Sequence, residues 1–516
     1  EIGYRFKSEG DGEVIPYLYE QYGMDFIKHL RGMFAISILD KAANKLYLIR
    51  DRMGEKPVYY YRSSQDEAFY YASELKALLK VIPNHKTSIN VDSIDLFLKY
   101  QFVPEPQTLI NEIHKVPAGH YIEVSLADNS NQVCKYWDMT ETQKISINKN
   151  QTDVIENNLL DIMNIIGRSD VPVGIMLSGG IDSSAVASIF TSINTSHLNK
   201  AFTAGYRGTP PSDERKFARS LANNLGIPFQ EVEISASEFV QDLPELVKHM
   251  DDPVADIAAY SIYRVMKTAS EDGLKVILNG IGADEIFWGY PWTTQAVEKT
   301  QEYINKGNDS HLYFYEHNAD FNFALSQANK LYTKKFNNSL EEENEKRFYK
   351  LNDKENIQIQ MINALCQTWL FSDPVVLGDR LSMANSIELR SPFLDHKLVE
   401  QAILLNKTNK NLFNEGAKRS LKEALKKYLP VSILEREKRG FTPPMNDWLT
   451  AAYNQYQDIL NDGYLVRNGL ISKFALKKAM FMTRISKKYS IRYLVYMYKL
   501  ILLEFWFSSY IGRNSS

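Results

Sequence analysis

The sequence predicts an α/β protein in which an antiparallel sheet domain precedes a parallel α/β domain with a helical C-terminal part. Two strand-like runs, 34–40 and 45–50, flank a short polar turn, which is typical of a hairpin. From residue 151 onward, short apolar runs alternate with helix-like periodicity, which favours βαβ units and a parallel sheet. Residues from about 295 to 516 are mostly helical in composition.

The N-terminal part is expected to contain a second strand pair and a short helix. Residues 58–62 and 68–71 flank the polar segment 63–67, as in another hairpin. Ser73 is expected to cap a helix that runs to Leu79. The stretch from about 125 to 150 is rich in Asn, Ser, Lys and Gln and lacks apolar periodicity, so we place a domain boundary there.

Short apolar runs are expected to form the parallel sheet of the second part. They are residues 173–177, 201–204, 229–234 and 275–278. Near the C-terminus, residues 493–506 are interrupted by Lys499 and Glu504, and we expect a buried helix there. No segment reaches the roughly 18 uninterrupted apolar residues that a membrane-spanning helix needs.

The composition argues against several classes of protein. The 516 residues carry a net charge of −3 and only short basic clusters, which argues against a nucleic-acid partner. Cys134 and Cys366 lie far apart without C-x-x-C spacing, so we expect neither a disulfide framework nor a thiolate zinc site. Two free thiols and the lack of a membrane segment favour a cytoplasmic setting with no membrane partner.

A loop of small and polar residues follows the strand-like run that ends at Leu177. The adjacent glycines Gly179 and Gly180 let backbone N–H groups approach an anion, and the start of the next helix favours phosphate. A carboxylate beside a phosphate implies a bridging Mg²⁺, which is the role expected for Asp182. A plain capped turn is the weaker alternative in this strand–loop–helix context. Hydroxyl donors are expected from Ser178, Ser183 and Ser184.

The loop at 178–184 resembles the PP-loop of the ATP pyrophosphatase superfamily, which cleaves ATP between the α- and β-phosphates and forms acyl-adenylates. Residues 31–61, 279–290, 379–395 and 436–449 resemble, in the same order, stretches of glutamine-dependent asparagine synthetase. The resemblance covers nearly the whole chain. It implies part of an N-terminal-nucleophile hydrolase-type glutaminase domain over 1–135 and a PP-loop synthetase domain over 150–516.

The resemblance also implies a two-site enzyme that uses ATP and Mg²⁺. The first domain would hydrolyse glutamine to ammonia, and the second would form β-aspartyl-AMP from aspartate. Ammonia would reach this intermediate through a tunnel and displace AMP. The implied partners are therefore aspartate and either glutamine or ammonia, and homodimerisation is left open.

ATP and metal contacts follow from the same resemblance. Asp182 and Asp284 would share the Mg²⁺ ion. A simpler interpretation of Asp284 and Glu285 is that acids are favoured in the first turn of a helix. Contacts with ATP are implied at Leu177, Ala204, Asn279 and Gly280.

Further roles are implied for four residues outside the two ATP loops. Lys438 matches a lysine that stabilises charge on the α-phosphate, although a solvated surface lysine is the alternative. Arg390 and Asp395 resemble substrate-site residues, or else form a structural ion pair. Asp11 matches the aspartate that holds the amino group of glutamine, unless Gly10-Asp11-Gly12 is an ordinary turn.

Two features depart from the family pattern. The family glutaminase uses an N-terminal cysteine, whereas this chain starts at Glu1, so we expect a fragment that does not itself hydrolyse glutamine. A natural form that uses free ammonia is the alternative. Ile281 occupies a position that is usually acidic and is linked to forming the adenylate or deprotonating ammonia, and isoleucine does neither.

Three functional hypotheses stay open at this point. The first is an asparagine synthetase or a close amidotransferase that acts on another carboxylate. The second is a PP-loop ligase that joins an amine other than ammonia. The third, a non-catalytic binding protein, is disfavoured because the serines of the loop, Asp284 and Lys438 are all present.

Overall fold

The computed structural model describes residues 3–62, 68–128, 130–141, 151–193, 198–208, 210, 213–307, 312, 319–340, 350–351, 355–436, 443–485 and 490–511. Two antiparallel sheets form the N-terminal part, with strand orders β1-β2-β6-β7 and β4-β3-β5. The strands are β1 Ala35–Asp40, β2 Lys45–Arg50, β3 Tyr59–Tyr61, β4 Tyr70–Ala72, β5 Ile113–Lys115, β6 His120–Ser125 and β7 Asn131–Lys135. The helices of this part are α1 Val14–Tyr22, α2 Leu75–Val81 and α3 Val91–Tyr100.

Both predicted strand pairs of the N-terminal part are confirmed. Strands β1 and β2 pair antiparallel, with Ala35 opposite Arg50, and β3 and β4 pair in the same sense. The segment 63–67 lies outside the described residues. Strand β7 falls in the stretch where no strand was expected. It is a largely exposed edge strand, so it lacks the apolar alternation that marks a half-buried strand.

The expected serine cap of helix α2 is wrong. The helix begins one residue later than a Ser73 cap requires, and Glu74 precedes it without a side-chain cap. Its first N–H groups are instead satisfied from the second part of the chain. The Asp251 carboxylate accepts from the N–H groups of Leu75 (3.0 Å) and Lys76 (3.4 Å) and lies 3.1 Å from a guanidinium nitrogen of Arg380.

We expect Asp251→Asn to lower the free energy of unfolding by about 2 kcal/mol, because the amide keeps an acceptor oxygen but loses the charge that pairs with buried Arg380. Asparagine tolerates the positive φ of 63° at this position. Urea unfolding followed by circular dichroism measures the change. Asp25→Asn is the matched control, because Asp25 is largely exposed and its ion pair in the described part of the chain is with the equally exposed Lys28. A difference between the two variants below 0.5 kcal/mol would contradict the role of Asp251.

The second part is built on a parallel sheet, as predicted. Its order is β10-β9-β8-β11-β12, and every neighbouring pair runs parallel. The sequence did not predict β12, since three residues within a helical region carry no strand period. The strands are β8 Val173–Met176, β9 Leu198–Tyr206, β10 Phe229–Ile234, β11 Val276–Leu278 and β12 Glu388–Arg390.

Helices surround this sheet and fill most of the C-terminal region, as the composition predicted. They are α4 Gln151–Ile166, α5 Ile181–Ile193, α6 Arg215–Leu225, α7 Ala236–Met250, α8 Ala259–Glu271, α9 Ala283–Ile286, α10 Pro291–Asn305, α11 Ala319–Leu331, α12 Lys334–Asn337, α13 Ile357–Leu365, α14 Pro374–Met383, α15 His396–Thr408, α16 Arg419–Leu425, α17 Val431–Leu434, α18 Met445–Tyr456, α19 Tyr464–Arg467, α20 Lys473–Ile485 and α21 Ser490–Tyr510.

The buried C-terminal helix is confirmed, and its internal charges have partners. The Lys499 ammonium donates to the carbonyl oxygens of Leu98 (2.9 Å) and Lys99 (3.2 Å). The Glu504 carboxylate accepts from the N–H groups of Tyr464 and Leu465. Among the described residues, no helix is both long and apolar enough to span a bilayer.

The order of the parallel sheet fixes where a ligand can bind. Strand β8 has β9 on one side and β11 on the other, so the chain leaves its first strand in one direction and later returns to the opposite side. In open parallel sheets, ligands bind beyond the carboxyl ends of the strands at such a point. The segments that follow β8 and β11 are residues 177–180 and 279–282, the two loops singled out in the sequence.

Candidate active site

The two loops touch each other at the carboxyl edge of the sheet. A Cβ atom added to Gly280 would lie 2.7 Å from the Cβ of Asp182 and 2.8 Å from the backbone nitrogen of Ser183. Real Cβ contacts are essentially never this short, so the contact requires glycine. The first loop and the second loop therefore form one surface, although about 100 residues separate them in the sequence.

The first loop is held by its own hydroxyl groups. The Ser178 N–H donates to the Ser183 Oγ (3.1 Å), the two hydroxyls lie 3.0 Å apart, and the Gly180 N–H donates to the Ser178 Oγ (3.3 Å). Gly179 has a φ of +77° and packs on helix α6, where a Cβ would lie 2.8 Å from a backbone nitrogen. Helix α5 starts directly afterwards, and its first N–H groups make this loop a suitable anion site.

The second loop is shaped by the buried side chain of Asn279. Its Oδ1 accepts from the Ile281 N–H (2.7 Å), and its Nδ2 donates to the Ser391 Oγ (3.0 Å). The amide thus closes a turn and holds the loop to the segment after β12. Asn279 is fully buried, so its predicted contact with ATP stays a prediction.

Lys418 joins the two loops electrostatically. Its ammonium lies 2.5 Å from the Asp182 carboxylate and 2.6 Å from the Asp284 carboxylate, and its side chain is almost fully buried. Burial alone would lower the pKa of Lys418, but the two carboxylates outweigh it and raise the pKa. Lys418 therefore stays charged and holds together the two acids that the sequence predicted as metal ligands.

Arg436 anchors the first loop from the C-terminal side. Its guanidinium donates to the Gly179 carbonyl oxygen (2.9 Å) and to the Glu214 carboxylate (2.5 Å), and it stacks on the ring of Phe217, 3.8 Å from the centroid. No sequence pattern singled out Lys418 or Arg436 individually. Both belong to basic stretches that resemble a solvated surface, and only the fold brings them to the sheet edge.

We expect Arg436→Met to raise the KM for ATP about tenfold, because the loop loses a charge-assisted hydrogen bond while the apolar stem keeps its packing. Steady-state pyrophosphate release at varied ATP measures the effect. Arg484→Met is the control, since Arg484 is exposed and donates to the Gln457 side chain at 3.0 Å, away from the first loop. Equal KM values for the two variants would show that Arg436 does not position the loop.

A cavity of about 570 Å³ opens next to the paired loops. The predicted site residues that line it are Ser178, Gly180, Asp182, Ser183, Gly280, Ile281 and Asp284. Others lie behind this surface and are buried or packed against neighbouring elements, namely Leu177, Gly179, Ser184, Ala204 and Asn279. Lys438 lies outside the described residues.

Arg390 and Asp395 do not form the ion pair considered in the sequence. The Arg390 side chain pairs with Glu388 (2.6 Å) and donates to the carbonyl oxygens of Ile166 (2.6 Å) and Arg168 (2.8 Å), away from the described lining of the cavity. It thus closes the C-terminal end of helix α4, which is a structural task. Asp395 pairs with Arg31 at 2.7 Å and caps helix α15.

Asp11 lies far along the chain from these groups, in the N-terminal part. It is exposed in a single 3₁₀ turn, Asp11–Glu13. The structure records no contact that ties Asp11 to a glutamine site among the described residues. Its role in holding glutamine stays a prediction.

The residues at the paired loops fit a magnesium ion. Mg²⁺ in nucleotide sites usually binds one or two carboxylates together with phosphate oxygens and water. The loops offer the carboxylates of Asp182 and Asp284 on one surface, both in contact with Lys418. Within the described residues, no cluster of three or more His, Cys, Asp or Glu side chains forms a protein-only metal site, so a metal here would depend on the nucleotide.

A second, much smaller cavity of about 10 Å³ lies where the N-terminal part meets the parallel-sheet part of the chain. Glu55 and Lys56 line one side of it, and Ile281, Gly378 and Ser391 line the other. This is close to the volume that one water molecule needs. Ile281 also lines the large cavity, so it lies between the two spaces.

Family models match both parts of the chain. A model for asparagine synthase matches residues 155–507, and one for the glutamine amidotransferase domain matches residues 1–137. An asparagine synthetase [glutamine-hydrolyzing] 1 from Bacillus subtilis is 31% identical over 499 residues, which is 90% of this chain and 76% of that protein.

More distant relatives cover similar lengths. A putative asparagine synthetase [glutamine-hydrolyzing] from Mycobacterium bovis is 29% identical over 86% of this chain and 72% of its own length. A protein named amidase chyE from Penicillium rubens is 25% identical over 86% of this chain and 74% of its own length. The resemblance stated for the sequence is confirmed: the chain is a glutamine-dependent carbon–nitrogen ligase and belongs to the family of glutamine-hydrolysing asparagine synthetases.

Proposed function

We propose that this protein uses ATP to convert aspartate to β-aspartyl-AMP and then to asparagine, with glutamine or ammonia as the nitrogen donor. The observation that carries the proposal is the direct contact of the two loops, with Asp182 and Asp284 on one surface beside a cavity of about 570 Å³. That cavity is large enough for a nucleotide and a small acid, since ligand sites span about 300–1,000 Å³.

In the first step, a carboxylate oxygen of aspartate attacks the α-phosphorus of ATP and pyrophosphate leaves. The first loop would bind the polyphosphate through the N–H groups at the start of helix α5, and Lys418 would balance negative charge that develops near Asp182 and Asp284. These two carboxylates would hold Mg²⁺. When bound, Mg²⁺ neutralises part of the negative charge of the phosphates.

In the second step, the nitrogen of ammonia attacks the acyl carbon, AMP leaves, and the added nitrogen loses a proton. We propose that ammonia enters past the small cavity between the two parts of the chain. Its lining of Glu55 and Lys56 on one side and Ile281 on the other supports a route that ends at the large cavity. An apolar side chain at this boundary would restrict water, which would otherwise hydrolyse the adenylate.

The alternative candidate is an amide ligase of the same family that acts on another carboxylate or amine. Ile281 favours this alternative, because it faces both cavities and can neither accept a proton nor hydrogen-bond an amine. The relative named amidase chyE supports a family that includes more than one activity.

One assay separates these candidates. The protein is incubated with ATP, Mg²⁺, ammonium and single carboxylates, and pyrophosphate and amide products are measured. Aspartate-dependent pyrophosphate release together with asparagine formation supports the proposal. Release that depends on another acid, or that yields no asparagine, favours the alternative. No release with any acid would refute both.

A further inference from the structure

The large cavity is also lined by polar side chains that belong to neither ATP loop, and we call Asp373, Asp256 and Gln101 the acidic arm. Asp373 stands directly before helix α14, Asp256 stands before helix α8, and Gln101 ends helix α3 of the N-terminal part. All three line the same cavity as Asp182 and Ile281. The arm therefore combines two carboxylates from the synthetase sheet region with one amide from the other part.

One carboxylate oxygen of Asp373 lacks a hydrogen-bond partner in the part of the chain that the structure describes. The residue is fully buried, and its Oδ2 accepts from the Gln101 Nε2 at 3.1 Å. Its Oδ1 is buried without a hydrogen-bond partner among the described residues. Buried carboxylate oxygens in proteins are normally paired, so this atom indicates a donor that arrives with a ligand.

Asp256 adds a second negative group to the same arm. Its Oδ1 accepts from the Ala258 N–H at 2.9 Å, which fixes the orientation of the carboxylate at the start of helix α8. Burial and then the charge of Asp256 raise the pKa of Asp373. A positive ligand between the two carboxylates would relieve this repulsion.

Two of the cations that line the large cavity are engaged with other groups. Lys499 donates to two backbone carbonyl oxygens of helix α3, and Lys99 pairs with Asp95 at 2.8 Å. The cavity lining also includes the apolar and aromatic side chains of Ile262, Leu377 and Trp369, and the carboxylate of Glu285, whose charge adds to the rise in the pKa of Asp373. The arm thus offers negative charge and acceptor atoms within a largely apolar surface.

We propose that Asp373 and Asp256 bind the ammonium group of the substrate whose carboxylate is activated at the paired loops. The inference rests on the proposed function and adds to it which side chains recognise the amine of the substrate. An ammonium group suits this arm better than a metal ion, because no third metal-binding side chain joins the two acids among the described residues. Gln101 acts as a positioning residue that holds Asp373 through its Oδ2.

Succinate provides the matched probe, since it is aspartate without the ammonium group. We expect the wild-type protein to show a KM for L-aspartate at least tenfold below that for succinate in pyrophosphate release. Asp373→Asn should raise the KM for aspartate at least tenfold, leave that for succinate within twofold and leave the KM for ATP unchanged. Asp256→Asn should act in the same direction, and Asp458→Asn, at an exposed position, is the control.

Folding and activity are separated by two further measurements. Circular dichroism and the melting temperature identify a variant that fails to fold. If one of the two acid variants does not fold, the KM values of the other one test the inference. If no carboxylate releases pyrophosphate, the proposed function fails, and calorimetric titration of aspartate and succinate still tests the arm. Equal affinity of the wild-type protein for the two acids, or an unchanged preference for aspartate in both folded variants, would overturn the inference.

Discussion

Replacing Lys418 by methionine is expected to lower the rate of pyrophosphate release by about 100- to 1000-fold, the range seen when a preorganised charged or polar group that stabilises a transition state is removed. Lys418 is the cation that contacts both Asp182 and Asp284, and it is almost fully buried beside the first loop. Methionine has a similar length and fills the same space. The change therefore removes the charge more than the packing.

The Lys418→Met variant should also differ from the wild-type protein in its free energy of unfolding. Without the ammonium group, two carboxylates face each other in a buried site. Removing one partner of a buried ion pair typically lowers the free energy of unfolding by about 3 kcal/mol, and we expect a loss of this size here. Mg²⁺ should then raise the melting temperature of Lys418→Met more than that of the wild-type protein, because the two acids would bind the ion without competition from Lys418.

Lys426→Met is the matched control, since Lys426 is exposed and pairs with Glu423 on the surface of helix α16. We expect its rate and stability to remain close to those of the wild-type protein. If the Lys418→Met protein released pyrophosphate at the wild-type rate, Lys418 would have no role in the reaction. An Mg²⁺ effect equal to that on the wild-type protein would show that the two acids do not bind the ion.

The sequence predicted the parts of this site that depend on local patterns. The apolar run that ends at Leu177 and the serines and glycines after it predicted the first loop, because strand period and turn chemistry are both local properties. The second loop was recognised from the resemblance of residues 279–290 to the asparagine synthetase family. The contact between the loops depends on the strand order, in which β11 lies next to β8 although β9 and β10 come between them in the chain. Local patterns do not determine that order.

Long-range partners explain the remaining differences. Helix α2 is capped by Asp251, about 175 residues away, so its first turn contains no local cap signal. Lys418 occurs in a basic stretch, and its role arises only because Asp182 and Asp284 reach the same point from two different loops. Arg390 resembled a substrate-site residue, yet its guanidinium donates hydrogen bonds to carbonyl oxygens at the C-terminal end of helix α4.

Gly280 should be intolerant of any side chain. We expect Gly280→Ala to reduce pyrophosphate release about 100-fold, because misplacing a positioning element by about 1 Å commonly has an effect of this size. The added methyl would lie 2.7 Å from the Cβ of Asp182 and 2.8 Å from the backbone nitrogen of Ser183. Both are main-chain or near-main-chain atoms at the start of helix α5, so neither can rotate away.

The loops would therefore have to separate, and the expected consequence is specific. Asp284 lies in helix α9, directly after the second loop, so separation of the loops moves it away from Asp182 and weakens the shared contact with Lys418. ATP affinity, measured by calorimetry with a non-hydrolysable analogue and Mg²⁺, should fall at least about tenfold. The far-UV circular dichroism spectrum should stay unchanged, because the β11 strand ends before the substitution.

Gly12→Ala is the matched control, because a Cβ at Gly12 meets no atom within 4 Å and its φ is not in the left-handed region. Its ATP affinity and its ammonia-dependent rate should equal those of the wild-type protein. If Gly280→Ala bound ATP and released pyrophosphate as the wild-type protein does, the two loops would not act as one surface. A single nucleotide site built from both loops would then be untenable, since that site requires the close approach that only glycine permits here.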